Sequence, residues 1–157
     1  MARVVLIGAG PGAADLITVR GARLLGEATV VLADALVDPA MRALAPHARW
    51  IDVGKRGFQH STAQARINAL LVRHGRAEDG LVVRLKGGDP SVFGRLEEEL
   101  EALAAAGIDA EVVPGVSAAF AAAADARRPL TRRGAGRSVT LTTAMYNLAN
   151  ALLVSAL

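Results

Sequence analysis

The sequence contains no cysteine, which excludes disulfides, thiolate metal sites and cysteine nucleophiles and leaves the redox compartment open. Aromatic residues make up only 3% of the chain, against a hydrophobic share of 52%. Much of that share is alanine, which predicts a core of small side chains and close helix packing. No run approaches the ~20 consecutive apolar residues of a membrane span. Residues 1–5 lead straight into a strand-like segment, without the basic and apolar pattern of a signal peptide. The expectation is a cytoplasmic chain with no membrane partner. A surplus of one charge sign is missing as well: 18 Lys and Arg against 15 Asp and Glu leave +3, too little to argue for a nucleic-acid partner. What remains is ample apolar surface in 157 residues, enough for one domain with a full core rather than a disordered tail.

Short β-rich runs alternate with helical patterns, the mark of a parallel sheet joined by crossover helices. Strands are expected at residues 4–7, 29–33, 50–53, 81–85 and 110–113, with a sixth at 138–142. The first is apolar without alternation, as a strand buried on both faces should be. Helices are expected over residues 14–27, over 39–44 with Pro39 in the first turn, and from a cap at Ser61 through His74. Two more are expected, over residues 92–106 with a stop at Gly107 and over 117–126. The fold class is therefore α/β: an open, mainly parallel sheet of five to six strands with helices on both faces. Residues 1–143 read as one domain. Residues 144–157, without glycine, proline or charge, read as a tail that is helical or altered.

The strand ends are the informative places. Gly8-Ala9-Gly10-Pro11-Gly12 follows the first strand, Asp34 the second and Gly54-Lys55-Arg56 the third. Gly87-Gly88-Asp89-Pro90 follows the fourth, and Pro114-Gly115-Val116-Ser117-Ala118 the fifth. In an open parallel sheet, ligands bind at the carboxyl ends of the strands, and glycine there lets backbone approach a ligand. One such turn is ordinary; five on one edge predict a pocket. The first loop alone supports another function. Gly8, Gly10 and Ala13, with Asp34 beyond, satisfy a dinucleotide fingerprint, so an FAD- or NAD-dependent oxidoreductase is the alternative. Against it, Pro11-Gly12 delay the helix to about Ala14, and the fourth and fifth loops are left without a role. His47, His60 and His74 share no metal-type spacing, so no metal is expected and all three read as surface or helix residues.

Several strings occur in order: residues 5–12 around the first glycine loop, Val53-Gly54-Lys55-Arg56, Val83-Arg84-Leu85-Lys86-Gly87-Gly88-Asp89-Pro90, Phe93-Gly94-Arg95, Val112-Val113-Pro114-Gly115-Val116 and Pro129-Leu130-Thr131. Together they resemble the uroporphyrinogen-III C-methyltransferases of the tetrapyrrole methylase superfamily, over about residues 3–143. The resemblance implies a two-domain homodimeric α/β enzyme. Such an enzyme moves a methyl group from S-adenosylmethionine to uroporphyrinogen III, giving precorrin-2 on the way to sirohaem or cobalamin. It further implies that Pro11, Gly87, Gly88, Asp89, Val92, Ser117 and Ala118 line the cofactor site. Asp34 matches the family's proposed proton acceptor and Lys55 its proposed proton donor.

The chemistry agrees with these roles. A sulfonium methyl is already activated, so transfer to an electron-rich pyrrole carbon needs alignment more than a metal. Methylation of a ring carbon disturbs the macrocycle's bonding, so an acid and a base nearby are useful. Arg127, Arg128, Arg132, Arg133 and Arg137 form a cluster with two readings, a grip on the substrate's carboxylates or a solvated basic face. The chain departs from the family pattern at Ala13, Ala33, Arg127 and Arg133 and in the turn at residues 95–97. The resemblance also implies a second domain that this chain does not supply. The expectation is an isolated, truncated or frame-shifted first domain, with its activity alone left open.

Overall fold

The computed structural model describes residues 1–54 and 60–143. The strands are β1 (Arg3–Gly8), β2 (Val30–Ala33), β3 (Arg49–Asp52), β4 (Leu81–Lys86) and β5 (Ala110–Val113). They form one five-stranded sheet in the order β3-β2-β4-β1-β5, with every pairing parallel. The helices are α1 (Val19–Gly26), α2 (His60–Ala77), α3 (Leu96–Ala105) and α4 (Ala118–Asp125). Single 3₁₀ segments cover Ala14–Leu16 and Pro39–Leu44.

Strand order and handedness together decide where the helices lie. The connection from β1 to β2 runs toward one edge of the sheet, whereas those from β3 to β4 and from β4 to β5 run back toward the other. Parallel crossovers are right-handed, so α1 packs on one face and α2 and α3 on the opposite face. The two cores follow from side-chain alternation along each strand. Val5, Ile7, Val31, Ala33, Val83 and Leu85 pack with Leu24 and Leu25 of α1 and with Met41. Val4, Leu6, Val30, Leu32 and Val82 pack with Leu71 of α2 and Leu103 of α3. The α/β sheet with helices on both faces is thus as expected.

Three expectations are corrected. The helix expected over 14–27 is split, because Ile17 is extended and α1 opens only at Val19. Thr18 causes the delay: its hydroxyl accepts the Gly21 N–H at 3.0 Å, a cap that sequence inspection passed over. The helix expected over 92–106 begins at Leu96, because Phe93 (φ 51°) and Arg95 (φ 52°) are left-handed, a conformation helices of L-residues do not continue through. Its stop at Gly107 is as expected, with φ 73° and its N–H on Ala104 O. Finally, residues 138–142 form no strand and are exposed. A β-rich run becomes a strand only where a neighbour completes its ladder and covers a face.

The chain divides into two compact units, Met1–Ser117 and Ala118–Leu157. The first holds the sheet. In the second, α4 precedes a tight turn closed by an Arg132–Gly136 bridge. Residues 144–157, and with them the expected tail, lie outside the described residues. No helix among the described residues is long and apolar enough to cross a membrane.

Candidate functional site

Adjacent strands β4 and β1 send their connections in opposite directions, and an open sheet offers a crevice at such a switch point. The loops at their carboxyl ends are joined by backbone. Gly10 and Gly88 form an antiparallel bridge, with Gly88 N–H donating to Gly10 O at 2.7 Å and Gly10 N–H to Gly88 O at 3.2 Å. The β5 loop closes on both: a Cβ on Gly115 would stand 2.3 Å from Gly88 O and 2.8 Å from Gly8 Cα. Only glycine permits that approach. Gly88 itself differs, because at φ 64° its missing Cβ would point into open space.

Asp89 fastens this arrangement. Its Oδ2 accepts the Gly115 N–H at 2.9 Å and its Oδ1 the Ser91 N–H at 2.8 Å. The residue expected to touch a cofactor therefore has both oxygens on protein amides, holding the β4 loop to the β5 loop. Pro11, Gly87, Gly88 and Val92 are all partly exposed around the same loops. Ser117 is buried where the first unit ends, and Ala118 is the first residue of α4 in the second unit.

Asp34 lies at the end of β2, next to β4. Its Oδ2 accepts the Gly87 N–H at 3.3 Å, and its Oδ1 pairs with Arg84 Nη2 at 2.6 Å. Arg84 is buried within β4 on the face covered by α2 and α3. Its Nε meets Glu99 Oε1 of α3 at 3.1 Å, and its Nη1 donates to Leu32 O and Leu85 O at 3.3 and 3.2 Å. Lys86, two residues on and facing the same way, stands 3.0 Å from Glu99 Oε2. Gln64 Nε2 reaches Glu99 Oε1 at 3.4 Å. Burial, and after it the neighbouring Arg84, pull the Lys86 pKa below its ordinary value, with Glu99 opposing. Sequence reading quoted Arg84 and Lys86 only as part of a motif and gave Glu99 no role. The available signal was a pair of cations at alternate positions of a strand otherwise apolar enough to be buried on both faces.

Lys55, expected beside Asp34, lies outside the described residues. Gly54 before it is described, and a Cβ there would overlap Ala35 N at 1.9 Å, so the β3 end packs directly against the β2 loop. The arginine cluster, with its two readings as a grip on substrate carboxylates or a solvated basic face, is exposed in the second unit. Of the histidines, His74 is a helix residue as expected but buried, with Nδ1 3.1 Å from Glu78 Oε1.

The dinucleotide alternative fails on geometry. A pyrophosphate there needs a helix N-terminus directly behind the glycine loop, whereas α1 opens at Val19 with its first turn capped by Thr18. Known proteins point the other way. The profile of the family described as Tetrapyrrole (Corrin/Porphyrin) Methylases matches residues 3–156. A Uroporphyrinogen-III C-methyltransferase of Pseudomonas aeruginosa is 50% identical over 142 residues, covering 90% of this chain and 58% of the relative. A Siroheme synthase of Azotobacter vinelandii is 51% identical over 144 residues, 91% of this chain and 31% of the relative. The crystal structure of Uroporphyrin-III C-methyl transferase from Thermus thermophilus complexed with S-adenyl homocysteine superposes with a TM-score of 0.71 at 50% identity, over 84% of this chain and 54% of that one. The chain thus spans at most about three-fifths of the length of these relatives. Sheet order, interlocked glycine loops and these matches agree: the chain belongs to the tetrapyrrole (corrin/porphyrin) methylase family.

Proposed function

We propose that this chain forms the S-adenosylmethionine-binding part of a methyltransferase that converts uroporphyrinogen III to precorrin-2, in sirohaem or cobalamin biosynthesis. The observation that carries the reading is the cradle at the ends of β4, β1 and β5. Gly8 and Gly115 bring the loops together, while Gly88 leaves open space where a side chain would otherwise project. Relatives named for this reaction, and one structure named for its S-adenosylhomocysteine complex, support it.

Within this reading Pro11, Gly87, Gly88, Asp89 and Val92 line the cofactor, with Ser117 and Ala118 completing the share of these residues. When bound, S-adenosylmethionine supplies an activated sulfonium methyl group. The protein's task is to hold that methyl in line with a pyrrole carbon. Asp89 serves by pinning two loops at a fixed spacing. Asp34, partly exposed beside Gly87, accepts the proton that the methylated ring must lose, and Lys55 donates one. A homodimeric cytoplasmic enzyme belongs to the same proposal.

The test is calorimetry on one sample of the chain with S-adenosylhomocysteine and with NAD, followed by radiolabelled methyl transfer to uroporphyrinogen III. Binding of the first ligand alone is expected. Binding of NAD without S-adenosylhomocysteine would overturn the reading.

A further inference from the structure

We propose that Glu99 and Arg84 are positioning residues that fix the proton acceptor Asp34 and tie it to the cofactor loop. The inference rests on the reading of Asp34 just given. Its basis is a single unbroken chain of contacts. Glu99 on α3 is fully buried and holds Arg84 Nε at 3.1 Å. Arg84, its side chain 2% exposed, uses its Nη1 on the carbonyls of Leu32 and Leu85 and its Nη2 on Asp34. Asp34 then spends its other oxygen on the Gly87 N–H, the first amide of the Gly87-Gly88-Asp89 loop. Lys86 stands against the other oxygen of Glu99, so two cations and two carboxylates balance within the cluster.

Stability does not account for such a cluster. Burying Arg84, Lys86 and Glu99, and half-burying Asp34, incurs desolvation that their attraction roughly offsets, and apolar residues of similar volume serve a core as well or better. What apolar residues could not do is aim a carboxylate. Arginine has a rigid planar fork with five N–H donors, and here the fork is used in three directions, toward α3, the β2 and β4 carbonyls, and Asp34. A lysine has one point of charge and cannot span Glu99 and Asp34 together. The geometry therefore couples α3, through the sheet, to the acid and the loop at its edge. Glu99 touches neither and acts through Arg84.

Amide hydrogen exchange, followed by NMR on the 157-residue chain without ligand, tests this. Arg84→Lys is expected to speed exchange at Gly87 about tenfold, the size of a lost hydrogen bond to a charged group. Thr29, whose N–H donates to Leu81 O at 2.8 Å at the amino end of β4, is expected to stay unchanged. Asp34→Ala should give the same acceleration at Gly87, and adding Arg84→Lys to it should give no more, because Arg84 acts through Asp34. Glu99→Gln, which keeps shape and removes charge, should move Gly87 in the same direction by about threefold; with Asp34→Ala it carries the test if Arg84→Lys does not fold. An unchanged Gly87 in the folded variants, Gly87 and Thr29 moving together, or additive effects in the double variant would each overturn the proposal. Failure of the methyltransferase reading would show separately, as absent S-adenosylhomocysteine binding.

Discussion

Two arginine–carboxylate clusters sit at opposite ends of the strands, and they differ in almost everything but chemistry. At the carboxyl ends, Arg84 and Glu99 are 2% and 0% exposed and each contacts several groups. At the amino ends, Arg49 at the start of β3 meets Glu78 just after α2, with side chains 58% and 26% exposed. In water-screened surroundings such a pair is worth little and can be lost without moving its neighbours. In the dry cluster no member can leave alone, because its partner would remain charged and buried. The fold thus places its rigid, costly electrostatics beside the interlocked glycine loops and its loose electrostatics at the far edge.

The sharpest way to break the comparison is Glu99→Ala. It strands Arg84 and Lys86 without their shared carboxylate and is expected to cost about 3–5 kcal/mol in urea unfolding. Replacing Arg84, Lys86, Glu99 and Asp34 together by apolar residues of similar volume should recover most of that loss while removing the proposed proton acceptor. If Glu99→Ala proves no more harmful than a change at Glu78, the two clusters are energetically alike and the contrast fails.

Between these extremes stands Asp89, a partly exposed carboxylate that bonds the backbone amides of Ser91 and Gly115. Asp89→Ala removes two charge-assisted acceptors and should cost about 2 kcal/mol, with S-adenosylhomocysteine affinity reduced because the β4 and β5 loops are no longer pinned. Gly88→Ala separates ligand space from stability more cleanly. Its methyl meets nothing, so only the strain of a left-handed alanine, about 1 kcal/mol, is expected. Affinity should nevertheless fall at least as far as in Asp89→Ala. Wild-type affinity in Gly88→Ala, by calorimetry, would show that the open space is not where the ligand lies.

How much of this was legible beforehand follows from range along the chain. The strands and their apolar faces were readable because alternation and composition are local, and so were the glycine loops, because turn chemistry is local. Thr18 was also readable in principle: a threonine three residues before Gly21 is an ordinary cap, outweighed by the continuous apolar pattern around it. The left-handed Phe93 and Arg95 gave no signal, since neither residue type favours that conformation. The residues at 138–142 have strand composition, but composition does not supply a neighbouring edge. Asp89 stood out with its loop, but its bond to Gly115 was hidden, because that link spans 26 positions. The Asp34–Arg84–Glu99 chain was hidden for the same reason, its links crossing 50 and 15 positions.

The smallest expected effect is at the amino-end cluster, and its dependence on pH gives it a distinct signature. The Glu78 carboxyl is held below its ordinary value of 4.5, first by the hydrogen bond from His74 and then by the charge of Arg49. A carboxylate whose folded pKa lies below its unfolded value stabilises the fold fully above the unfolded value. That contribution falls as pH drops through the folded value, because protonation then removes the interaction in the folded state too. Glu78→Gln should therefore melt slightly below the wild type near pH 7. The gap should narrow through the acid range and close below the folded pKa of Glu78. Thermal unfolding of both proteins from pH 7 to pH 3 reads this directly. A gap that stays constant with pH would mean that Glu78 contributes packing rather than charge. A gap as large as that of Glu99→Ala would mean that the exposed cluster is as tightly built as the buried one.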